Sequence, residues 1–222
     1  MTVEPLVSLD RSTLRERALE ALRSAITSGQ YRPGDHVGEV ELAKHLGVSR
    51  GTVREALRHL QQEGLVTAGT RGMLRVNSLS AREIRELFRV RAALEGLAVT
   101  ELINSAEREV SAAALRDALS RLSAADSDFA AQVEADLAFH LRLCQLSGNS
   151  MLVEAWRHLQ GRIQVTIMSG SEDIVPRMMS KDHHAPIVDA IETGDVAAAV
   201  AVVEQHMSRA ADHFAGEEQV AS

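Results

Sequence analysis

A single cysteine, Cys144, is all the thiol chemistry in this chain. One thiol cannot close an internal disulfide, so no cross-linked framework is expected, and the usage fits a reducing cytoplasm. Aromatic side chains are also scarce, at 3% of residues. The core must therefore be aliphatic, built from Ala, Leu, Val and Ile, which suits helix packing on helix. The hydrophobic fraction of 45% is enough for such a core. No apolar run approaches the roughly 20 residues that span a bilayer. The N-terminal MTVEPLVSLDRS lacks a cationic stretch followed by an apolar one, so no secretory signal is expected. These absences point to a cytoplasmic protein with no membrane partner.

The net charge of −7 is unevenly shared. Residues 1–77 hold 11 basic and 9 acidic side chains, whereas residues 78–222 hold 13 and 22. No acid occurs between Glu63 and Glu83, while Arg71, Arg75 and Arg82 fall inside that stretch. A locally basic N-terminal third in an acidic chain points to a polyanion partner for that third alone.

The same boundary divides the hydrophobic patterning. In residues 1–77, Leu14, Ala18, Leu22, Ala25 and Ile26 share one helical face. A short helix over Glu39–Leu46 stops at Gly47, and Ser49 is placed to cap the next one. Val53, Ala56, Leu57 and Leu60 give that next helix its apolar side. Leu65–Thr67 and Leu74–Val76 read as two short strands around the turn AGTRGM. From Ser80 to about Phe214 the period is helical almost throughout. Helices are predicted near 81–104, 108–124, 127–146, 151–168, 182–193 and 195–214. The expected fold is mainly α: a winged helix-turn-helix over 1–77 and an all-α antiparallel bundle over 78–222.

Arg50, Arg54 and Arg58 lie at four-residue spacing on the third helix, displaced from its apolar side. One reading is a solvated helix face. The other is the second helix of a helix-turn-helix entering the DNA major groove, where arginine pairs bidentately with guanine or clamps phosphate. The tight glycine turn before the helix and the basic hairpin after it favour the second. Gly72 at the hairpin tip, with Arg71 beside it, would let the backbone approach a groove.

The run ELAKHLGVSRGTVREALRHLQQEGLV, continuing to TRGMLRV, resembles the N-terminal domain of GntR-family bacterial transcriptional regulators. The helical remainder resembles the FadR-like subfamily with its FCD ligand-binding domain. The resemblance covers nearly the whole chain. It implies that Ser49, Arg50, Thr52 and Arg54, with Gly72 in the wing, contact double-stranded operator DNA, to which the hairpin reading adds Arg71. The reading includes a homodimer and a small carboxylate effector, with repression the commoner arrangement in the family and activation the alternative. Two departures bear on the operator sequence. Gly51-Thr52 stands where the family commonly has Thr-Pro, and Val40 where some members have arginine.

In the second part, Asp136 and His140 are four residues apart on a face shared with Val133, Leu137 and Cys144. His184 shares a face with Ile187, Val188 and Ile191, and His206 with Ala199, Val202, Val203 and Ala210. One carboxylate and three imidazoles directed at an aliphatic interior suit a divalent transition metal, with zinc first and nickel or manganese as alternatives. An Asp136–His140 ion pair and ordinary hydrogen-bonded core histidines are the competing readings. The resemblance favours the metal, because one subgroup of FCD domains carries this ligand pattern. His184 lies two residues before Pro186, which leaves its aim open, with His183 and then His213 as substitutes. Arg91 lies on an apolar stripe and would either hold an effector carboxylate or pair with Glu95 at the bundle rim. Asn149 would contact the effector or cap the following helix. Two other functions fit the same residues: a regulator for which the metal itself is the signal, and a metal-dependent hydrolase.

Overall fold

Helix α1 (Leu14–Thr27) opens the N-terminal part of the computed structural model, which describes residues 14–69, 72–124, 128–170 and 178–217. It buries Ala18, Leu22 and Ile26 at the four-residue spacing of one helical face. Helix α2 (Glu39–Leu46) ends at Gly47, whose φ of 64° is left-handed and whose N–H returns to the Ala43 carbonyl. Only a residue without Cβ takes that conformation freely. The chain reverses so tightly there that Ser49 already caps α3 (Arg50–Gln62), its Oγ accepting from the Thr52 N–H at 3.1 Å. Val53, Ala56, Leu57 and Leu60 of α3 are fully buried, and α3 packs against both α1 and α2.

Strands β1 (Val66–Ala68) and β2 (Leu74–Val76) form the antiparallel wing, with Val66 opposite Val76 and Ala68 opposite Leu74. The first strand begins one residue later than its β-branched pattern predicted. Leu65 is still closing the helix, since its N–H donates to the Leu60 carbonyl at 2.9 Å. Its side chain is buried in the same core as Leu57 and Leu60.

The rest is helical: α4 (Ala81–Ile103), α5 (Arg108–Ala124), α6 (Phe129–Leu146), α7 (Ser150–Met168), α8 (Lys181–Thr193) and α9 (Val196–Glu217). Ser80 and Glu83 form a reciprocal capping box at the start of α4. Asp128 and Asn149 cap α6 and α7 through their side-chain oxygens. The predicted helix ends agree within three residues. The aliphatic core carries Phe88, Phe139 and Trp156 as its largest buried apolar side chains. Among the described residues, no helix is long and apolar enough to cross a membrane.

Helix α7 also serves the N-terminal part. Val165 belongs to the core formed by α1, α2, α3 and the wing. At Gly161 the helix meets the end of α3 so closely that a Cβ there would lie 2.0 Å from the Glu63 carbonyl oxygen.

Candidate metal centre and DNA-reading face

Helices α6, α8 and α9 bring three imidazoles together inside the bundle. The ligand atoms of His140, His184 and His206 all lie within 4.8 Å of one another. His140 Nε2 is 3.1 Å from His184 Nε2. Asp136, one turn before His140 on α6, places Oδ1 3.0 Å from His184 Nε2 and 4.0 Å from His140 Nε2. All four side chains are buried. Ligand atoms about 2.0–2.1 Å from a shared ion lie about 2.9–3.4 Å apart at octahedral or tetrahedral angles. The two short separations fall in that range.

The other ring nitrogens explain why these edges face one another. His184 Nδ1 donates to the Ser180 carbonyl at 3.0 Å, which turns Nε2 inward toward Asp136 and His140. His140 Nδ1 is 2.6 Å from Glu95 Oε2, so it donates to that carboxylate and turns its own Nε2 inward. His184 is fully buried despite Pro186 within α8, and it takes the position for which His183 was the substitute. The His183 ring centroid is 4.8 Å from that of His206, and His183 Nε2 is buried without a hydrogen-bond partner.

Glu95 was legible only as a partner for Arg91 at the bundle rim. It is instead fully buried and accepts from three directions: His140, Arg91 Nε at 3.1 Å and Trp156 Nε1 at 3.0 Å. The Arg91–Glu95 pair therefore stands in the interior rather than at the rim, and Arg91 Nη2 is buried with no partner. Burial pushes the Glu95 carboxyl up, but the charges of His140 and Arg91 and the bonds from His140 and Trp156 outweigh it, holding it down to about 2. Asp136 is likewise raised by burial and lowered more by the His184 bond and neighbouring positive charge, to about 2.

Burial drives His206 well below the ordinary imidazole range, helped by repulsion from the neighbouring histidines. Burial also lowers His140, although the charge of Glu95 opposes it. The folded protein thus resists protonation at both rings, while the unfolded chain takes up protons below about pH 6.5. Stability should fall as pH drops through that value and keep falling toward the depressed folded pKa. Thermal denaturation of chelator-treated protein from pH 8 to pH 5.5 should show this, with a shallower dependence in His206→Ala.

On the N-terminal part, Ser49, Arg50, Thr52 and Arg54 occupy the first turns of α3. Ser49 Oγ and Thr52 Oγ1 hydrogen-bond each other at 2.9 Å. Gly72 has a φ of 75° and nothing within 4 Å of its Cβ position, while Arg71 lies outside the described residues. The arginine stripe is more engaged than its spacing implied. Arg58 pairs with Glu55 at 2.7 Å, and Arg54 makes two bonds to Glu39 of α2. Asn149 acts as the α7 cap, with its amide donating to Glu101 at 3.0 Å.

Residues 14–76 match the family described as bacterial regulatory proteins, gntR family, and residues 86–209 match the FCD domain. The chain is 32% identical over 189 residues to the Nta operon transcriptional regulator of Aminobacter aminovorans, covering 84% of this chain and 86% of that one. It is 29% identical over 202 residues to a probable D-xylose utilization operon transcriptional repressor of Paenarthrobacter nicotinovorans, covering 90% and 88%. A local match, 40% over 88 residues, covers 40% of this chain and 39% of YdhC, an uncharacterized HTH-type regulator of Bacillus subtilis. Among solved structures, E. coli McbR/YncC aligns over 94% of this chain and all of that one, with a TM-score of 0.73 at 20% identity, a likeness of fold. These matches set the hydrolase reading aside, because the family comprises transcriptional regulators rather than enzymes. The chain belongs to the GntR family of bacterial regulatory proteins, with an FCD domain following its winged head.

Proposed function

We propose that the chain is a homodimeric repressor whose head binds a palindromic operator and whose FCD domain binds a divalent metal together with a small organic-acid effector. The observation that carries the metal is the convergence of buried ligand atoms. Two imidazole nitrogens 3.1 Å apart, with a carboxylate oxygen 3.0 Å from one of them, repel unless a proton or a cation lies among them. Asp136, His140, His184 and His206 would hold the ion, zinc first and nickel or manganese as alternatives. With four protein ligands, a six-coordinate ion keeps positions for an outside donor.

Charge favours an acid as that donor. With neutral imidazoles, Asp136 and Glu95 against Arg91 leave one buried negative charge. A divalent ion reverses the sign, and a monocarboxylate restores neutrality, which a dry interior favours. Arg91 Nη2 and His183 Nε2 are buried polar atoms without partners, and an acid at the centre could satisfy them. A dimer is supported by Val90 and Leu97 on the outer side of α4, which are 49% and 45% exposed. A relative named as a probable operon repressor supports repression.

The second reading makes the metal itself the signal. Binding to a duplex selected from a random library by the wild-type protein separates the two readings. Zinc alone should leave the affinity unchanged, and zinc with an active member of a panel of monocarboxylates, hydroxy acids among them, should lower it. A full response to zinc alone reverses the assignment. In the same assay Arg50→Ala and Arg54→Ala should each weaken binding by about 1–3 kcal/mol, and added salt should loosen the wild-type complex steeply. Half-sites in the selected duplex should repeat about one helical turn apart.

A further inference from the structure

We infer that Glu39 is a positioning residue that orients Arg54 for a guanine in each operator half-site. The inference rests on the reading of α3 as the groove-entering helix. Glu39 is the first residue of α2, and Arg54 lies 15 positions later in the second turn of α3. The Arg54 Nε–H donates to Glu39 Oε1 and Nη2 donates to Oε2, both at 2.9 Å. The carboxylate also feels Arg50: its pKa is lowered first by the Arg54 bond, then by the charges of Arg54 and Arg50, against the opposing effect of its own desolvation. Glu39 is thus an acid set between two arginines on the face that meets a polyanion.

As a surface ion pair it would contribute little to stability. An acid at that place should also repel phosphate. Its geometry gives it a different use. Both bonds lie on the Nε side of the guanidinium. Nη1 and the second hydrogen of Nη2 stay free, and together they form the end-on fork that matches guanine O6 and N7. A free arginine gives up side-chain entropy when it docks on a base, whereas a clamped one has already lost it. The carboxylate also keeps the fork from settling side-on against a phosphate, since that edge is occupied. The pair closes the angle between α2 and α3 as well, but a brace of that kind would be indifferent to which base lies opposite.

The test uses the full-length protein and the duplex selected by wild type. Glu39→Ala removes a negative charge from the DNA-facing surface, so electrostatics alone would tighten binding. Positioning gives the opposite sign: binding about tenfold weaker, with discrimination against substitution of one G·C pair per half-site lost. Replacing that guanine by 7-deazaguanine should weaken wild type by a similar factor and leave Glu39→Ala nearly unmoved. The loss from Glu39→Ala should also vanish in an Arg54→Ala background. Unchanged or tighter binding by Glu39→Ala, with base preference retained, overturns the inference, as does an undiminished loss in the Arg54→Ala background. If Arg50→Ala and Arg54→Ala themselves leave binding intact, the groove reading fails with it. If they weaken binding and Glu39→Ala does not, only the positioning role fails.

Discussion

His206→Ala and His140→Ala should each purify with little metal, where the wild type carries it stoichiometrically. The expectation follows from how the four proposed ligands are held. His140 and His184 are each committed through the other ring nitrogen, so neither can turn to make good a lost partner without breaking a buried bond. His183, whose ring lies 4.8 Å from that of His206, is the neighbour that His206→Ala must not let in. Loss of a group that merely orients a ligand typically costs 10–100-fold in metal affinity. Loss of a ligand itself should cost more than about 100-fold. His206 is the better probe, because it is the most exposed of the three rings at 9% and alanine there disturbs the core least. Elemental analysis reads the metal directly. Zinc should raise the melting temperature of stripped wild type and leave that of His206→Ala unmoved, because only a native-state ligand stabilises by mass action. Glu95→Gln should fall between the two. It leaves Arg91 without its charge partner and gives His140, Arg91 and Trp156 a single acceptor oxygen to share. Stripped wild type that refuses zinc, nickel and manganese would reduce the cluster to a polar core in which a proton bridges Asp136 and His184.

Much of this was legible in the pattern of residues, for reasons of reach. Helical periodicity acts over a few residues, so Val53, Ala56, Leu57 and Leu60 disclose the buried side of α3 without tertiary information. The inward faces of His184 and His206 follow from their aliphatic neighbours in the same way. Pairings between elements were less accessible. Glu95 meets His140 across 45 positions and Trp156 across 61. The one usable hint was its place one turn after Arg91, inside a stripe otherwise apolar. Arg54 looked free because its partner lies on the preceding helix, beyond the local i,i+4 rule. Gly161 was the least visible of all. A glycine inside a helix reads only as a weak point until another chain segment is seen pressed against it.

Gly161→Ala carries the other large effect, and its sign is informative. In an exposed helix the change should stabilise by about 1 kcal/mol, because alanine is the better helix former. Here the new methyl would stand 2.0 Å from the Glu63 carbonyl oxygen, 3.0 Å from its carbon and 3.2 Å from Leu65 Cγ. A backbone oxygen has no rotamer to escape through, and Arg23 of α1 holds the Glu63 carboxylate with bonds of 2.7 and 3.1 Å. Relief requires the end of α3 to lift away from α7, which also draws Val165 out of the head's core. The cost should exceed the roughly 1–3 kcal/mol of ordinary overpacking, and it should appear as separate, earlier melting of the head. The functional consequence follows from α7 itself. Trp156 on that helix bonds Glu95, which holds His140, and Gly161 lies five residues on, about 7.5 Å along the axis. One rigid element therefore touches both the support of the proposed metal centre and the C-terminal end of α3, the helix proposed to enter the DNA groove. Gly161→Ala should keep metal binding and still bind the selected duplex, yet lose most of the change in affinity that zinc and acid together produce. A variant that melts in one transition at or above the wild-type temperature would show that the head does not rest on α7, and a retained response would move the coupling to another contact.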